Sequence, residues 1–350
     1  MQERLLKTML VCSILFSAVS MSVMLYFSAT KTIVITEEAL PEQSADRGKI
    51  PSGRQNRLQL LKSEIEKGVE IPLPSEIRAD DIVIENRYIE NSIHIILTGK
   101  YSTFYRENEL LVNGEVVEDG FFSEENGMTR LQLEMKGLYE HQYMFENGVL
   151  QLSFAKPSDL YDQIVVLDAA CGGTDSGHTG NGIREKDITL QVTEKVREKL
   201  KDTGIRVYCT RVDDVTVAEE ERVRFANELS ADLLISVRAG ADKSNEKVYG
   251  IQSFYNGTYF IPYFGNIQLA DLLERNTVTA VGGKANGLFE ASGEDVVLQG
   301  VQMPAAAIEV GYLTNKEETG KLALPEYTDK LAEGIAATIN EAFGKIDLNP

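Results

Sequence analysis

From Tyr161 onward, short apolar runs alternate with stretches of helical periodicity, and this alternation confines the second half of the chain to one fold class. Residues 164–167 (Ile-Val-Val-Leu), 205–208, 233–237, 250–254 and 305–310 read as strands. Residues 185–201 put Ile188, Val192, Val196 and Leu200 on one stripe, as an amphipathic helix requires, and Gly204 ends it. Residues 217–229, 265–277 and 327–343 read as further helices. Strands that are apolar on both sides need cover on both faces. The expected fold is therefore α/β: a mostly parallel sheet with helices on both faces, over residues 160–345.

Residues 79–157 follow period two instead. Residues 82–84, 93–97, 110–112, 131–135 and 149–154 are strand candidates, punctuated by Asn113-Gly114, Asn126-Gly127 and Asn147-Gly148, which is hairpin chemistry. A small antiparallel β-sandwich is expected there, with His94 packed or at the surface rather than a ligand. Residues 31–78 read as a linker. It carries a short helix over residues 57–68, with Leu58, Leu61 and Ile65 at helical spacing before Pro72 and Pro74.

Residues 8–30 carry no charge, enough to cross a hydrocarbon core roughly 30 Å thick, and Arg4 and Lys7 precede them. Residues 1–30 are expected to be a cytoplasmic stub and a single transmembrane helix, with everything after them on the extracytoplasmic side of the cell membrane. A signal peptide cleaved after Ala18-Val19-Ser20 is the alternative. The net charge of −19 excludes nucleic acid as a natural partner. Three cysteines, Cys12, Cys171 and Cys209, form no zinc ribbon and no disulfide framework.

Ligands of open α/β sheets gather at the carboxyl ends of strands. Three such ends carry polar residues here: Asp168 through Gly173, Arg238, and Glu309, the last followed by apolar Val310. A charge inside such a run is normally paired or functional.

These segments carry a family resemblance. "VVLDAACGGTDSGHTGNGIREKDITL" is similar to the opening of the zinc-dependent N-acetylmuramoyl-L-alanine amidases, a strand, then D-P-G-H-G-G, then a loop reaching E-K. "TRVDD", with Arg222 and Ala226-Asn227, matches their T-R-x-x-D…R…A-N. "ADLLISVRAG" matches A-D-L-x-I-S-x-H-A-N, and "MPAAAIEVGYLTNKEE" the closing P-A-x-L-x-E-x-G-F-L-x-N-x-E-E. The sandwich weakly resembles, in position and pattern, the accessory β domains that precede such domains. The resemblance implies cleavage of the amide between N-acetylmuramic acid and L-alanine in peptidoglycan. It also implies a zinc held by His, Glu and His, with a further Glu as general base.

Carried over by position, the two histidines become Cys171 and Arg238, while the Glu ligand is kept as Glu185 and the general base as Glu309. Asp168 and Arg211 keep their motif places, Ala169 and Ala170 replace a proline and a glycine, and Asn286 stands where an arginine is common. Thiolate is a good zinc ligand, but a guanidinium has no lone pair. The expected function is accordingly a degenerate, non-hydrolytic domain that binds peptidoglycan or a cell-envelope protein, with no cofactor. The alternatives are an active amidase with zinc and a structural or regulatory membrane scaffold. His178 is a possible substitute ligand beside Cys171 and Glu185. Cys171 is also a possible disulfide partner of Cys209. Finally, Arg238 is expected to take the vacated metal position and bridge Glu185 and Glu309 as a surrogate cation.

Overall fold

A computed structural model describes residues 56–62, 68–258 and 263–346. The transmembrane segment expected at residues 8–30, and the start of the linker, lie outside the described residues. Among the described residues no helix is long and apolar enough to cross a membrane.

Two five-stranded sheets form the first layer pair. One runs β1 (Asn56–Arg57), β7 (Val117–Glu125), β8 (Met128–Met135), β5 (Ser92–Thr98), β4 (Ile82–Arg87). The other runs β2 (Gln59–Lys62), β6 (Glu109–Val112), β3 (Gly68–Pro72), β10 (Val149–Ala155), β9 (Glu140–Glu146), with helix α1 (Ser102–Glu107) between β5 and β6. Alternation does the sorting: along β8 every second side chain is buried, and Leu131 and Leu133 meet Ile93, Ile95 and Phe122 in one core. Asn126-Gly127 and Asn147-Gly148 close two-residue hairpins with φ positive at both positions, as a type I′ turn requires. Asn113-Gly114 does not close a hairpin. It joins β6 in one sheet to β7 in the other, and the Asn113 side chain accepts from the Glu115 N–H.

The short helix expected over residues 57–68 is corrected: its described residues are strand apart from Leu58, which lies between β1 and β2. Leu58 is buried, Leu60 packs on the same core and Leu61 is half exposed, so the working period is two and not three to four. The sandwich thus takes in strands from residue 56 rather than from 79.

After helix α2 (Pro157–Leu160), a six-stranded sheet follows in the order β14-β11-β15-β18-β16-β17. Its strands are β11 (Ile164–Ala169), β14 (Arg206–Cys209), β15 (Leu233–Gly240), β16 (Ile251–Tyr255), β17 (Ala285–Glu290) and β18 (Ala305–Tyr312). A two-stranded ribbon, β12 (Thr179–Gly180) with β13 (Ile183–Arg184), lies in the loop after β11. The first four strands of the sheet are parallel, and β16 and β17 run the other way.

One face is covered by α3 (Glu185–Leu200), α5 (Asn266–Val281) and α8 (Pro325–Ile346), the other by α4 (Glu219–Glu228) and α6 (Val296–Gly300). Helix α7 (Lys316–Leu322) follows β18. The stripe Ile188, Val192, Val196 and Leu200 is buried as expected. Where α5 and α8 cross, a Cβ on Gly334 would lie 2.5 Å from the Thr277 Cα, so only glycine lets the two backbones approach.

Sandwich and α/β layers are joined by polar contacts. Glu140 of β9 accepts from Arg206 at 2.7 Å and from Tyr208 of β14, and Asn91 donates to Glu228 of α4.

His94 faces outward from β5 yet is only 4% exposed. Burial, reinforced by Arg87 and Arg130, pushes its imidazole down to about 3 from 6.5. A base held neutral by the fold stabilises fully above its unfolded pKa, and that stability is lost as pH falls toward the folded value. Urea unfolding should therefore show a loss of about 2–3 kcal/mol between pH 7 and pH 4.5 that is missing in His94→Asn. An NMR titration placing His94 above pH 6 would contradict this.

Candidate functional site

The site sits at the carboxyl ends of β11, β15 and β18. Its foundation is a buried network under the loop after β11. Asp168 accepts from Arg222 Nη1 at 2.6 Å, Ser236 Oγ at 2.6 Å and Thr210 Oγ1 at 2.8 Å. Burial pushes this carboxyl up, but Arg222 and the hydroxyl donors outweigh it and hold it below the usual carboxylate range. Arg222 also donates to the Ala169 and Cys171 carbonyls, at 2.7 and 2.8 Å. Arg211 donates to the carbonyls of Ala169, Ala170 and Lys186. Asp214 accepts from the Gly173 N–H and from Lys186 Nζ, each at 2.7 Å. Asp168 and Arg211 therefore hold the loop after β11 through buried partners.

That loop returns to the start of α3, where Glu185 is buried with both carboxylate oxygens occupied. Oε1 accepts from the Ala239 N–H at 2.9 Å. A register break between Arg238 and Gly240 in β15 frees this N–H from the ladder. Oε2 accepts from the His178 N–H and lies 2.9 Å from His178 Nδ1. Nδ1 is also 3.2 Å from the Ala239 carbonyl. Both neighbours are acceptors, so Nδ1 carries the hydrogen and Nε2 is left toward the half-exposed side of the ring. Contact with Glu185 raises the His178 pKa. For Glu185, burial acts upward, but His178 and the two backbone donors prevail and hold it low.

Arg238, Glu309 and Gln252 share one register row across β15, β18 and β16. Glu309 Oε2 accepts from Gln252 Nε2 at 2.6 Å, while burial and the Glu185 charge push its carboxyl up. Arg238 turns the other way. Its Nη1 and Nη2 lie 2.6 and 3.1 Å from the two oxygens of Asp295, and its Nε donates to Ser236. The expected bridge from Arg238 to Glu185 and Glu309 is thus corrected: the carboxylate that neutralises Arg238 is Asp295, which also caps α6 by accepting from the Leu298 N–H. A bidentate partner already in line outcompetes two carboxylates held by other donors.

Cys171 stands at φ 62°, and burial, with Glu185 and Asp175 nearby, pushes its thiol up to about 12. No disulfide joins it to Cys209. Cys171 and Glu185 converge on Gly177, where a Cβ would lie 2.6 Å from the sulfur and 2.5 Å from Oε2. Asn286 lies at the start of β17 and donates to the Tyr249 carbonyl. Asp295 escaped the sequence reading. Its one local signal is an acidic residue directly before Val296-Val297-Leu298, the mark of a helix cap.

The described chain matches the family model for N-acetylmuramoyl-L-alanine amidase over residues 165–341. The chain belongs to the N-acetylmuramoyl-L-alanine amidase family. It is 33% identical over 222 residues to the germination-specific N-acetylmuramoyl-L-alanine amidase of Bacillus subtilis (strain 168), covering 59% of this chain and 90% of that one. It is 35% identical over 182 residues to the uncharacterized protein YqiI of the same organism, covering 51% and 84%. Among solved structures, an N-acetylmuramoyl-L-alanine amidase from Clostridium difficile 630 aligns with a TM-score of 0.50 at 31% identity, covering 54% of this chain and 98% of that one.

Amidases of this family are typically zinc-dependent. Glu185 accepts from three N–H groups, Arg238 is paired with Asp295, and burial with Glu185 nearby raises the Cys171 thiol. Among the described residues no three His, Cys, Asp or Glu side chains converge as a metal-ligand group.

Proposed function

We propose that this protein works at the cell wall, where its amidase-family domain binds peptidoglycan or an envelope partner without cutting it. The Arg238–Asp295 ion pair carries this reading. A guanidinium stays charged and offers no lone pair, and here it is fixed at the position that corresponds to the family's second histidine. The uncharged run at residues 8–30 supports anchoring in the membrane with the folded part outside.

The full chain in detergent should release no L-alanyl peptides from peptidoglycan, hold less than one equivalent of zinc, and still sediment with the polymer. Protease added to intact protoplasts should digest the folded part. Hydrolysis would sink the reading, and so would failure to bind any wall fraction.

One observation favours the active alternative. Ligating histidines usually donate their other ring N–H to a carboxylate or carbonyl, and His178 does both through Nδ1. Chelator-sensitive hydrolysis that disappears in His178→Ala would select it.

A further inference from the structure

The outer face of the β4–β5–β8 sheet holds polar groups that have no partner. Cross-strand register sets His94 between Glu85 of β4 and Gln132 of β8, with Arg130 one step along opposite Ile96 and Arg87 one step back opposite Ser92. His94 Nε2 shares a hydrogen bond with Ser92 Oγ at 3.3 Å, which leaves Nδ1 over. The Nδ1 of His94, the Nε of Arg87 and the Nε of Arg130 are all buried without a hydrogen-bond partner, and so is Gln132 Oε1. Arg87 has one ion pair, from Nη2 to Glu85 at 2.8 Å. Arg130 has none among the described residues, in a chain whose net charge is −19.

Buried donors left without acceptors are costly, and the Arg87 and Arg130 Nε–H groups, joined by His94 Nδ1–H in the tautomer whose Nε2 accepts from Ser92, call for an oxygen-rich anion. The electrostatics agree. Arg87 and Arg130 both act on His94 to disfavour its protonated form, so the field at the imidazole is positive. Two guanidiniums and one imidazole N–H, approaching from three strands, match the several oxygens of a tetrahedral oxyanion better than the two of a carboxylate. The Gln132 amide, turned over, would add a fourth donor.

We propose that this face, around Arg87, His94, Arg130 and Gln132, is a binding site for a phosphate or phosphodiester group. The site lies in the sandwich and is independent of whether the amidase-family domain hydrolyses anything. A phosphodiester at the cell surface has two sources, an anionic wall polymer and a lipid headgroup, and both present the same oxygens.

The chain has three histidines, so selective imidazole labelling of the full chain in detergent gives a readable spectrum. Titration with inorganic phosphate should move the His94 signals, assigned by their loss in His94→Asn, and leave His178 in place. Chloride at equal ionic strength should not move them. Arg130→Gln, which removes a charge at a half-buried outward position, should weaken binding at least tenfold, which is about 1.4 kcal/mol. The two sources are then compared, using poly(glycerol phosphate) and phosphatidylglycerol vesicles, each against wild type and Arg130→Gln. The arm whose binding drops in the variant names the source. No His94 shift with phosphate, or a shift unchanged in Arg130→Gln, leaves these donors to water and overturns the proposal.

Discussion

Arg222→Ala should unfold the α/β domain or bring it close to unfolding, with a loss of about 3–5 kcal/mol against a total of roughly 5–15 kcal/mol for a typical domain. The reason is what the guanidinium leaves behind. Asp168 is 2% exposed and loses its ion-pair partner, keeping two hydroxyl donors. The carbonyls of Ala169, Cys171 and Val217 lose donors at the same time. A buried carboxylate without its cation is the costly species, so Asp168→Asn combined with Arg222→Ala should recover part of the loss. Arg222→Lys should not rescue, because one ammonium cannot reach four acceptors in fixed directions. Denaturant unfolding of the three variants beside the parent chain decides it. If Arg222→Ala costs under 1 kcal/mol, about the worth of a surface pair, the network is not the support described here.

That network shows how far the sequence could be read. The strand Ile-Val-Val-Leu and the stripe of α3 were legible because a buried element writes its period directly into the chain. Edge elements do not. Strand β17, with exposed Ala285, Phe289 and Glu290 and a glycine at 287, has no apolar alternation to find. Residues 57–68 misled because three leucine and isoleucine residues fit a helical spacing, while the sandwich uses only Leu58 and Leu60.

The motif T-R-x-x-D was recognisable as a signature, but its physics was not. Only the fold shows that Thr210 holds Asp168 at the end of β11, while Arg211 and Asp214 hold different parts of the loop after it. The partner of Arg238 lay 57 residues away, on a helix cap. The family geometry, in which Glu185 and Glu309 both face the zinc, made the wrong bridge attractive, although only Glu309 shares the register row of Arg238. Register brings strands together, but side-chain direction and prior hydrogen bonds decide which groups pair.

If the Arg238–Asp295 pair is what keeps zinc out, removing it and restoring the imidazoles should let zinc in. The variant Cys171→His, Arg238→His, Asp295→Asn tests this. Each change has a physical purpose. Cys171 sits in left-handed backbone, a region that histidine enters more readily than most residues, so an imidazole there adds little strain. Arg238→His removes the fixed charge. Asp295→Asn avoids an unpaired carboxylate while leaving a side-chain oxygen to cap α6 at Leu298. Glu185 would then have to exchange an N–H partner for the metal, so affinity should stay below that of a native site. Zinc at 100 times its dissociation constant should still stabilise the variant by about 2.7 kcal/mol, which is roughly 5–10 °C in melting temperature for a domain of this size. The parent chain should show no such shift. Arg238→His alone should lose stability without gaining zinc, because Asp295 is left buried beside a weaker partner. Metal content by mass spectrometry and zinc-dependent melting read the outcome without reference to activity. A parent chain that takes up one zinc and melts higher for it would show that the ion pair is no barrier. A triple variant that folds and binds none would show that the N–H partners of Glu185, not Arg238, are the barrier to zinc.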